Sequence, residues 1–305
     1  LEIGARFGAL LPNANDYAEV NDLSAELGRI EALGWQAASA DTDGVRYLRR
    51  DGADVSYPRG VLDTLVGSGG EGFWLDSRAN AVGALLRDYS IPTLWDIGAG
   101  AGAMAKRLGH YGVEVISVEP LPEGAQEIAS LGGEVFCATL PDLELPAESI
   151  NAFGLFDVLE HLEDPSQMLD EVTRTLAPTG NLIVTVPAYQ SLWSAEDEAV
   201  GHFRRYSTKA LRSLLRSSGL SVISTRYLFA ALVPAAAVLR ALPYRMGRGR
   251  EKSDAIKHTA ARIHPRPTVN KLANLVFSAE ARIARSVPLP FGLSILAVAK
   301  KQNPL

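Results

Sequence analysis

Two stretches of this 305-residue chain concentrate side chains and glycines whose types and spacing suit chemistry. The first reads Leu94-Trp95-Asp96-Ile97-Gly98-Ala99-Gly100-Ala101-Gly102, with Glu119 closing the next apolar run. A strand that turns through alternate glycines into a helix lets bare backbone approach a nucleotide-like ligand. Asp96 and Glu119 would repel a pyrophosphate, which argues against a nicotinamide cofactor. Instead, Asp96 suits a ligand amine, and Glu119 is placed to accept the two hydroxyls of a ribose. A ligand with an amino-acid end, a ribose and no phosphate meets those terms, and S-adenosylmethionine is such a ligand. The second stretch is Pro187–Tyr206, which gathers Tyr189, Trp193, Asp197, His202, Arg204, Arg205 and Tyr206. Aromatic rings beside charges suit a polar, ring-bearing or sugar-like acceptor, and the arginines suit a phosphate or carboxylate. His202 is expected as a general base or acceptor contact, or else as a residue pinned to Asp197. His161 is a second candidate, with Glu160-His161 capping the following helix as its structural alternative.

The elements that must position these residues follow from periodicity. Strands are expected at Leu94–Ile97, Glu114–Val118, Glu134–Ala138, Ile150–Phe156, Leu182–Val186, Leu220–Tyr227 and Leu293–Ala299, with helices after the first, second, fourth and fifth. That alternation predicts an α/β fold, a doubly wound, seven-stranded, mainly parallel sheet. A helix is expected over Asp76–Tyr89, and another starts at Ser207 or Thr208. The Pro187–Tyr206 link is too long for a plain connection, and such loops cover sites at the carboxyl edge of a sheet. Asn270–Arg285 reads as an amphipathic helix with Leu272, Leu275, Val276, Ala279 and Ile283 on its apolar face. Near the N-terminus, Asp22–Leu33 has helical spacing, Val45–Tyr57 reads as a hairpin turning near Asp51-Gly52, and Gly67–Gly70 reads as a boundary. The expected divisions are an N-terminal extension over 1–72, a core over 73–228, a basic helical insertion over 229–287 and the final core strand within 288–305.

The glycine turn with Glu119 resembles the cofactor motif of class I S-adenosylmethionine-dependent methyltransferases, a Rossmann-like superfamily. Phe156-Asp157-Val158-Leu159-Glu160-His161-Leu162-Glu163-Asp164-Pro165 is similar to the segment after that family's fourth strand. Leu176-Ala177-Pro178-Thr179-Gly180 resembles its Leu-Lys-Pro-Gly-Gly turn, and Pro288–Lys301 its final hairpin. The resemblance implies that Gly98, Gly100 and Gly102 admit the methionine and ribose portions of the cofactor. It also implies that Asp96 faces the methionine amine, Glu119 holds the ribose, and Phe156 and Asp157 line the methionine side. Members often carry an acidic residue after the third strand for the adenine amine; here Thr139 or Asp142 occupies that region. The loop after the fifth strand, with its Asp…Gly-His…Arg-Arg-Tyr pattern, resembles a branch linked to glycan or lipid-linked sugar pathways.

Composition narrows the remaining options. Cys137 is the sole cysteine, so a disulfide framework and a cysteine-built zinc site are excluded. No metal site is expected, because the acids are not at ligand spacing and His202 has no histidine nearby in sequence. Residues 240–285 hold eleven Lys/Arg against three acids, a net +8 that leaves −13 elsewhere in a chain of net −5. Such a split marks either a solvated surface or a face for an anionic partner. The uncharged run Tyr227–Leu239 is too short to span a bilayer as a helix. With the basic residues up to Lys252 it suggests peripheral membrane contact. The segment after the Ile150–Phe156 strand lacks the Pro-Pro-Tyr sequence of amino-group methylation on bases, so nucleic acid is a disfavoured substrate. The expected activity is O-methylation of a small polar, sugar-like or natural-product acceptor in the cytoplasm. Alternatives are a lipid-linked or prenylated acceptor at the inner membrane face, and a non-catalytic cofactor-binding partner protein. A homodimer, with residues 1–72 as a substrate or dimer element, is a further expectation.

Overall fold

A computed structural model describes residues 23–48, 55–62, 66, 72–249, 251, 254–255 and 267–302. The Gly67–Gly70 boundary, the Asp51-Gly52 turn, Lys252, His258 and His264 lie outside the described residues. Among the described residues the fold is one eight-stranded sheet with helices on both faces. In chain order the strands are β1 (Arg46–Tyr47), β2 (Thr93–Ile97), β3 (Glu114–Val118), β4 (Glu134–Cys137), β5 (Ile150–Phe156), β6 (Leu176–Pro187), β7 (Leu220–Leu228) and β8 (Ser294–Lys301), and the helices up to β7 are α1 (Leu23–Glu31), α2 (Arg59–Leu62), α3 (Phe73–Asp88), α4 (Ala103–Gly109), α5 (Pro122–Ser130), α6 (Pro165–Thr175), α7 (Ala195–Ala199) and α8 (Thr208–Ser217). Their order across the sheet is β1-β4-β3-β2-β5-β6-β8-β7, with β8 antiparallel to both neighbours and the rest parallel. Seven strands are those expected from periodicity. The eighth is Arg46–Tyr47, which joins β4 in parallel instead of forming a hairpin with Val55–Tyr57. Alternation marks a segment as extended but leaves its partner open.

Side chains alternate between the two faces of each strand. Trp95 and Ile97 enter one core with Ile116, Phe136, Phe153 and Val184, covered by α6 (Pro165–Thr175) and α8 (Thr208–Ser217) through Leu169, Val172, Leu211 and Leu215. Leu94, Ala152, Ile183 and Val298 enter the other core, covered by α3 (Phe73–Asp88) and α4 (Ala103–Gly109) through Val82, Leu86, Met104 and Leu108. Strands buried on both faces explain the nearly continuous apolar runs of β2, β5 and β6. Asp164 caps α6 by accepting from Ser166 N–H at 3.0 Å; Glu160-His161 therefore is not the cap. Ser207 caps α8 by accepting from Ala210 N–H at 3.1 Å. The Leu176–Gly180 turn survives as an excursion within β6, since Ile150 pairs with Leu176 and Ala152 already pairs with Asn181.

The insertion packs on the start of α3. Trp74 stacks on Phe229 at 3.9 Å between ring centroids, and Phe73 on Phe277 at 5.3 Å. The long helix Pro267–Ser286 corrects the expected orientation. Asn270, Ala273, Phe277 and Glu280 form its inward stripe: Asn270 Oδ1 accepts from Phe73 N–H at 2.7 Å and Glu280 Oε2 from Ala231 N–H at 2.9 Å. Leu272, Leu275 and Ile283 are 64%, 69% and 59% exposed. Apolar residues occupy more than one side of this helix, so spacing alone could not choose the buried one. Among the described residues, no helix is long and apolar enough to cross a membrane.

Candidate active site

The chain proceeds outward from β2 through β3 to β4, then crosses back so that β5 lies on the other side of β2. Ligands in open α/β sheets bind where strand order reverses, beyond the strands' carboxyl ends. There the structure holds a cavity of about 710 Å³, a volume suited to a cofactor-sized ligand with an acceptor beside it.

One wall carries the glycine turn. Gly98, Gly100 and Gly102 all take the left-handed conformation, with φ of 72°, 59° and 74°. L side chains are strained there. A Cβ on Gly100 would meet nothing within 4 Å, whereas one on Gly102 would press on Ile128 at 2.8 Å. Gly100 thus keeps a ligand path open, and Gly102, outside the cavity lining, serves the turn's packing. Glu119 is buried in this wall, and its carboxylate accepts from Gly100 N–H at 2.6 Å and Leu121 N–H at 2.9 Å. Burial pushes its carboxyl up to about 7, although the two amide bonds oppose the shift. Thr139 lines the cavity. Asp142 lies outside the lining and accepts from Thr139 N–H and Oγ1–H at 2.8 and 2.5 Å. Asp96 is buried on the β2 face shared with Leu94 and is likewise not in the lining. Its Oδ2 has no hydrogen-bond partner among the described residues. Burial, then the charge of Glu119, pushes its carboxyl up to about 8.

The rest of the lining is assembled from side chains of distant segments. Phe156 and Asp157 end β5 and line the cavity. Asp157 takes φ 58°, an uncommon conformation for a non-glycine residue at a strand end. It accepts from Thr185 Oγ1 at 3.0 Å and meets Arg78 of α3 at 2.5 Å. Arg78 is buried and lines the cavity, and its Nε has no hydrogen-bond partner among the described residues. Beyond Asp157 come Glu160 and His161. From the link after β6 come α7 (Ala195–Ala199), His202 and Arg205, and from the insertion comes Arg240, 3.3 Å from Glu196.

Asp197 is the hub of this wall. Its Oδ1 lies 2.9 Å from His202 Nδ1 and accepts from Arg205 Nε at 2.7 Å; its Oδ2 accepts from Ser194 N–H and Oγ–H at 2.9 and 3.0 Å. Burial opposes ionisation, but the His202 hydrogen bond and the Arg205 charge outweigh it, so the carboxyl stays below the usual range. With Asp197 beside Nδ1, that nitrogen carries the proton, and Nε2 is left as an acceptor in the cavity wall. His161 sits at 4.6 Å from His202 between ring centroids, nearly edge-on, and 5.1 Å from Tyr57. Burial, then the neighbouring His202, lowers its imidazole to about 3. The two histidines, 41 positions apart in sequence, are therefore neighbours in space, contrary to the expectation that His202 stands without one.

Four of the residues expected at the acceptor lie outside the cavity lining. Tyr189 stacks on Tyr227 at 5.5 Å, and Tyr206 donates from its hydroxyl to Leu159 O at 3.1 Å. Arg204 donates to Glu163 O at 2.6 Å. Trp193 follows the short turn Gln190–Leu192. Arg78 and Tyr57, not singled out from sequence as site residues, and Arg240, read there as part of the basic insertion, line the cavity instead. The helical pattern of α3 marked Arg78 only as a polar position, and nothing local distinguished it.

Residues 74–225 match the methyltransferase-domain family. The chain belongs to the class I S-adenosylmethionine-dependent methyltransferase superfamily. An uncharacterized methyltransferase of Mycobacterium tuberculosis is 32% identical over 117 residues, covering 36% of this chain and 42% of that protein. A protein of Mycolicibacterium smegmatis named "Probable S-adenosylmethionine-dependent methyltransferase" is 32% identical over 92 residues, covering 30% and 36%. The chain thus matches less than half the length of these curated relatives. A solved S-adenosylmethionine-dependent methyltransferase from Archaeoglobus fulgidus is similar at 15% identity and a TM-score of 0.46, covering 73% of this chain and 94% of that one.

Proposed function

We propose that this protein transfers a methyl group from S-adenosylmethionine to an oxygen of a small polar or sugar-like acceptor. The observation that carries this reading is the pairing, within one cavity, of the Glu119 glycine wall with the Asp197–His202 pair. When bound, S-adenosylmethionine supplies an electrophilic methyl group on a sulfonium. The residues fit it. The Glu119 carboxylate keeps acceptor capacity for the ribose hydroxyls, the open side of Gly100 admits the ligand along bare backbone, and Phe156 and Asp157 flank the methionine portion. The Arg78 guanidinium, with Nε unpartnered, suits the methionine carboxylate. Thr139 stands where the adenine edge is expected. Asp96, beneath the wall, is a positioning group for the turn or acts on the amine through water.

Across the cavity, His202 Nε2 takes or holds the acceptor's hydroxyl proton, with Asp197 fixing the ring through Nδ1. A positioned base contributes about 10²–10⁴-fold to such a step. Arg205 and Arg240 line the cavity paired with Asp197 and Glu196, and their remaining N–H groups suit a phosphate or carboxylate substituent. A lipid-linked acceptor is the second reading. It is favoured by the exposed apolar side chains Val238, Leu239, Leu242 and Met246, which alternate with Arg240 and Arg245 on the insertion. Calorimetric titration with S-adenosylmethionine and S-adenosylhomocysteine tests the main reading. Saturable micromolar binding is expected, and the absence of binding by both compounds would overturn it. Flotation with anionic vesicles tests the second reading, which fails if all protein stays in the soluble fraction.

A further inference from the structure

We propose that Glu160, His161 and His202 form a binding site for one divalent first-row transition-metal ion in the acceptor half of the cavity. One ligand atom from each of the three lies within 4.8 Å of the others. Ions of this class hold nitrogen and oxygen ligands at ~2.0–2.2 Å, so neighbouring donors end up ~3–4 Å apart. Small side-chain rotations therefore close the set. The segments are independently fixed: Phe203 N–H donates to Glu160 O at 2.8 Å, and Ser56 Oγ–H donates to His161 O at 2.5 Å. The three side chains are thus held together by backbone contacts that do not use their ligand atoms.

Glu160 makes the case. It is completely buried, and neither carboxylate oxygen has a hydrogen-bond partner among the described residues. Its contact within ion-pair range is His202 Nε2 at 4.0 Å. A buried carboxylate with no bonded partner is costly, and a cation between Glu160 and the two imidazoles removes that cost. His161 Nδ1 is also buried without a partner among the described residues. His202 already has the outer contact that metal-bound imidazoles make, Nδ1 to the Asp197 carboxylate at 2.9 Å. Two nitrogens and one carboxylate oxygen favour manganese, iron, cobalt or zinc over magnesium or calcium. Three protein ligands leave coordination positions open to the cavity.

The inference deepens the proposed function and rests on it for the ion's purpose. In the cavity the ion holds an acceptor oxygen and polarises it, so that the hydroxyl loses its proton to solvent more readily. His202 then serves as a ligand, and acceptors with two adjacent oxygens gain from chelation.

The test uses the full chain, without an affinity tag, stripped with chelator and then loaded with Co²⁺ or Mn²⁺ alone. After desalting, elemental analysis is expected to give about one ion per chain. The Co²⁺ protein is expected to show two hyperfine-shifted imidazole N–H proton resonances. Glu160→Gln and His202→Ala are expected to weaken binding at least tenfold, and Asp197→Asn by about 10–100-fold. Binding below about a tenth of an ion per chain, or shifted resonances from fewer than two imidazoles, would overturn the site. The wild-type spectrum decides the matter even where a variant fails to fold. Titration of the same samples with S-adenosylhomocysteine separates the two ideas. Cofactor binding without metal binding sinks the metal site alone, and metal binding without cofactor binding sinks the proposed function alone.

Discussion

The two walls of the cavity are built by different means. The glycine wall comes from one stretch, residues 97–121, built around the glycine turn, with Glu119 as its single carboxylate. The histidine wall draws Glu160 and His161 from beyond β5, His202 and Arg205 from the link after β6, and Arg240 from the insertion. A glycine-turn wall needs only a turn geometry that glycines permit. A side-chain wall needs several remote segments to arrive together, each fixed by its own hydrogen bonds. The first wall suits an invariant ligand such as a cofactor; the second can be re-specified residue by residue for an acceptor.

If this division holds, substitutions on one wall separate cleanly from those on the other. His202→Ala is expected to lower turnover by about 10²–10⁴-fold while S-adenosylhomocysteine affinity, measured by calorimetry, changes less than about threefold. Equal loss of both would break the division. Asp197→Ala removes the carboxylate partner of Arg205, whose side chain is 7% exposed, and the expected cost is about 3–5 kcal/mol of folding stability, read from urea or thermal unfolding. A loss under 1 kcal/mol would mean that Asp197 is not the hub of its wall. Glu119→Ala is expected to weaken S-adenosylhomocysteine by about 10–100-fold, the worth of one to two hydroxyl bonds to a charged group. Unchanged affinity would place the ribose elsewhere.

The effect that is small at any one pH concerns Asp96, because it is spread over several pH units. Its folded-state carboxyl is pushed up to about 8 from an ordinary value of 3.8, by burial foremost and then by Glu119. The protonated form is therefore the one the fold favours. Its stabilising contribution is full below about pH 4 and is lost as pH rises through about 8. Relative to Asp96→Asn, the ligand-free wild-type protein should lose stability across that window. The slope is at most about 1.4 kcal/mol per pH unit, or about 2–4 °C in Tm. A difference in Tm that does not vary with pH would show that Asp96 is solvated or paired.

Legibility in the sequence followed the same division. Gly98, Gly100, Glu119, Thr139, Phe156 and Asp157 could be named from the chain, and all line the cavity. Their positions follow from strand ends and one turn, which are short-range features. On the other wall Asp197, His202 and Arg205 were visible as unusual residues in a long link, but Tyr189, Trp193, Arg204 and Tyr206 looked equally suited and lie outside the lining. Nothing in that link distinguishes a tyrosine stacked on Tyr227 from one facing a ligand. Arg78 and Arg240 were hidden for the complementary reason, since a lone arginine on a helix usually faces solvent.

The sequence by itself determined the doubly wound sheet, its parallel centre and the glycine turn. Apolar periodicity sets element type, and left-handed φ at Gly98, Gly100 and Gly102 demands residues without a Cβ. Only the tertiary structure decided that β1 pairs with β4, that the Pro267–Ser286 helix turns Phe277 inward, and that His161 meets His202 across Glu160. Those outcomes depend on which distant surfaces pack together, and pairwise contacts over such separations leave no periodic trace in the chain.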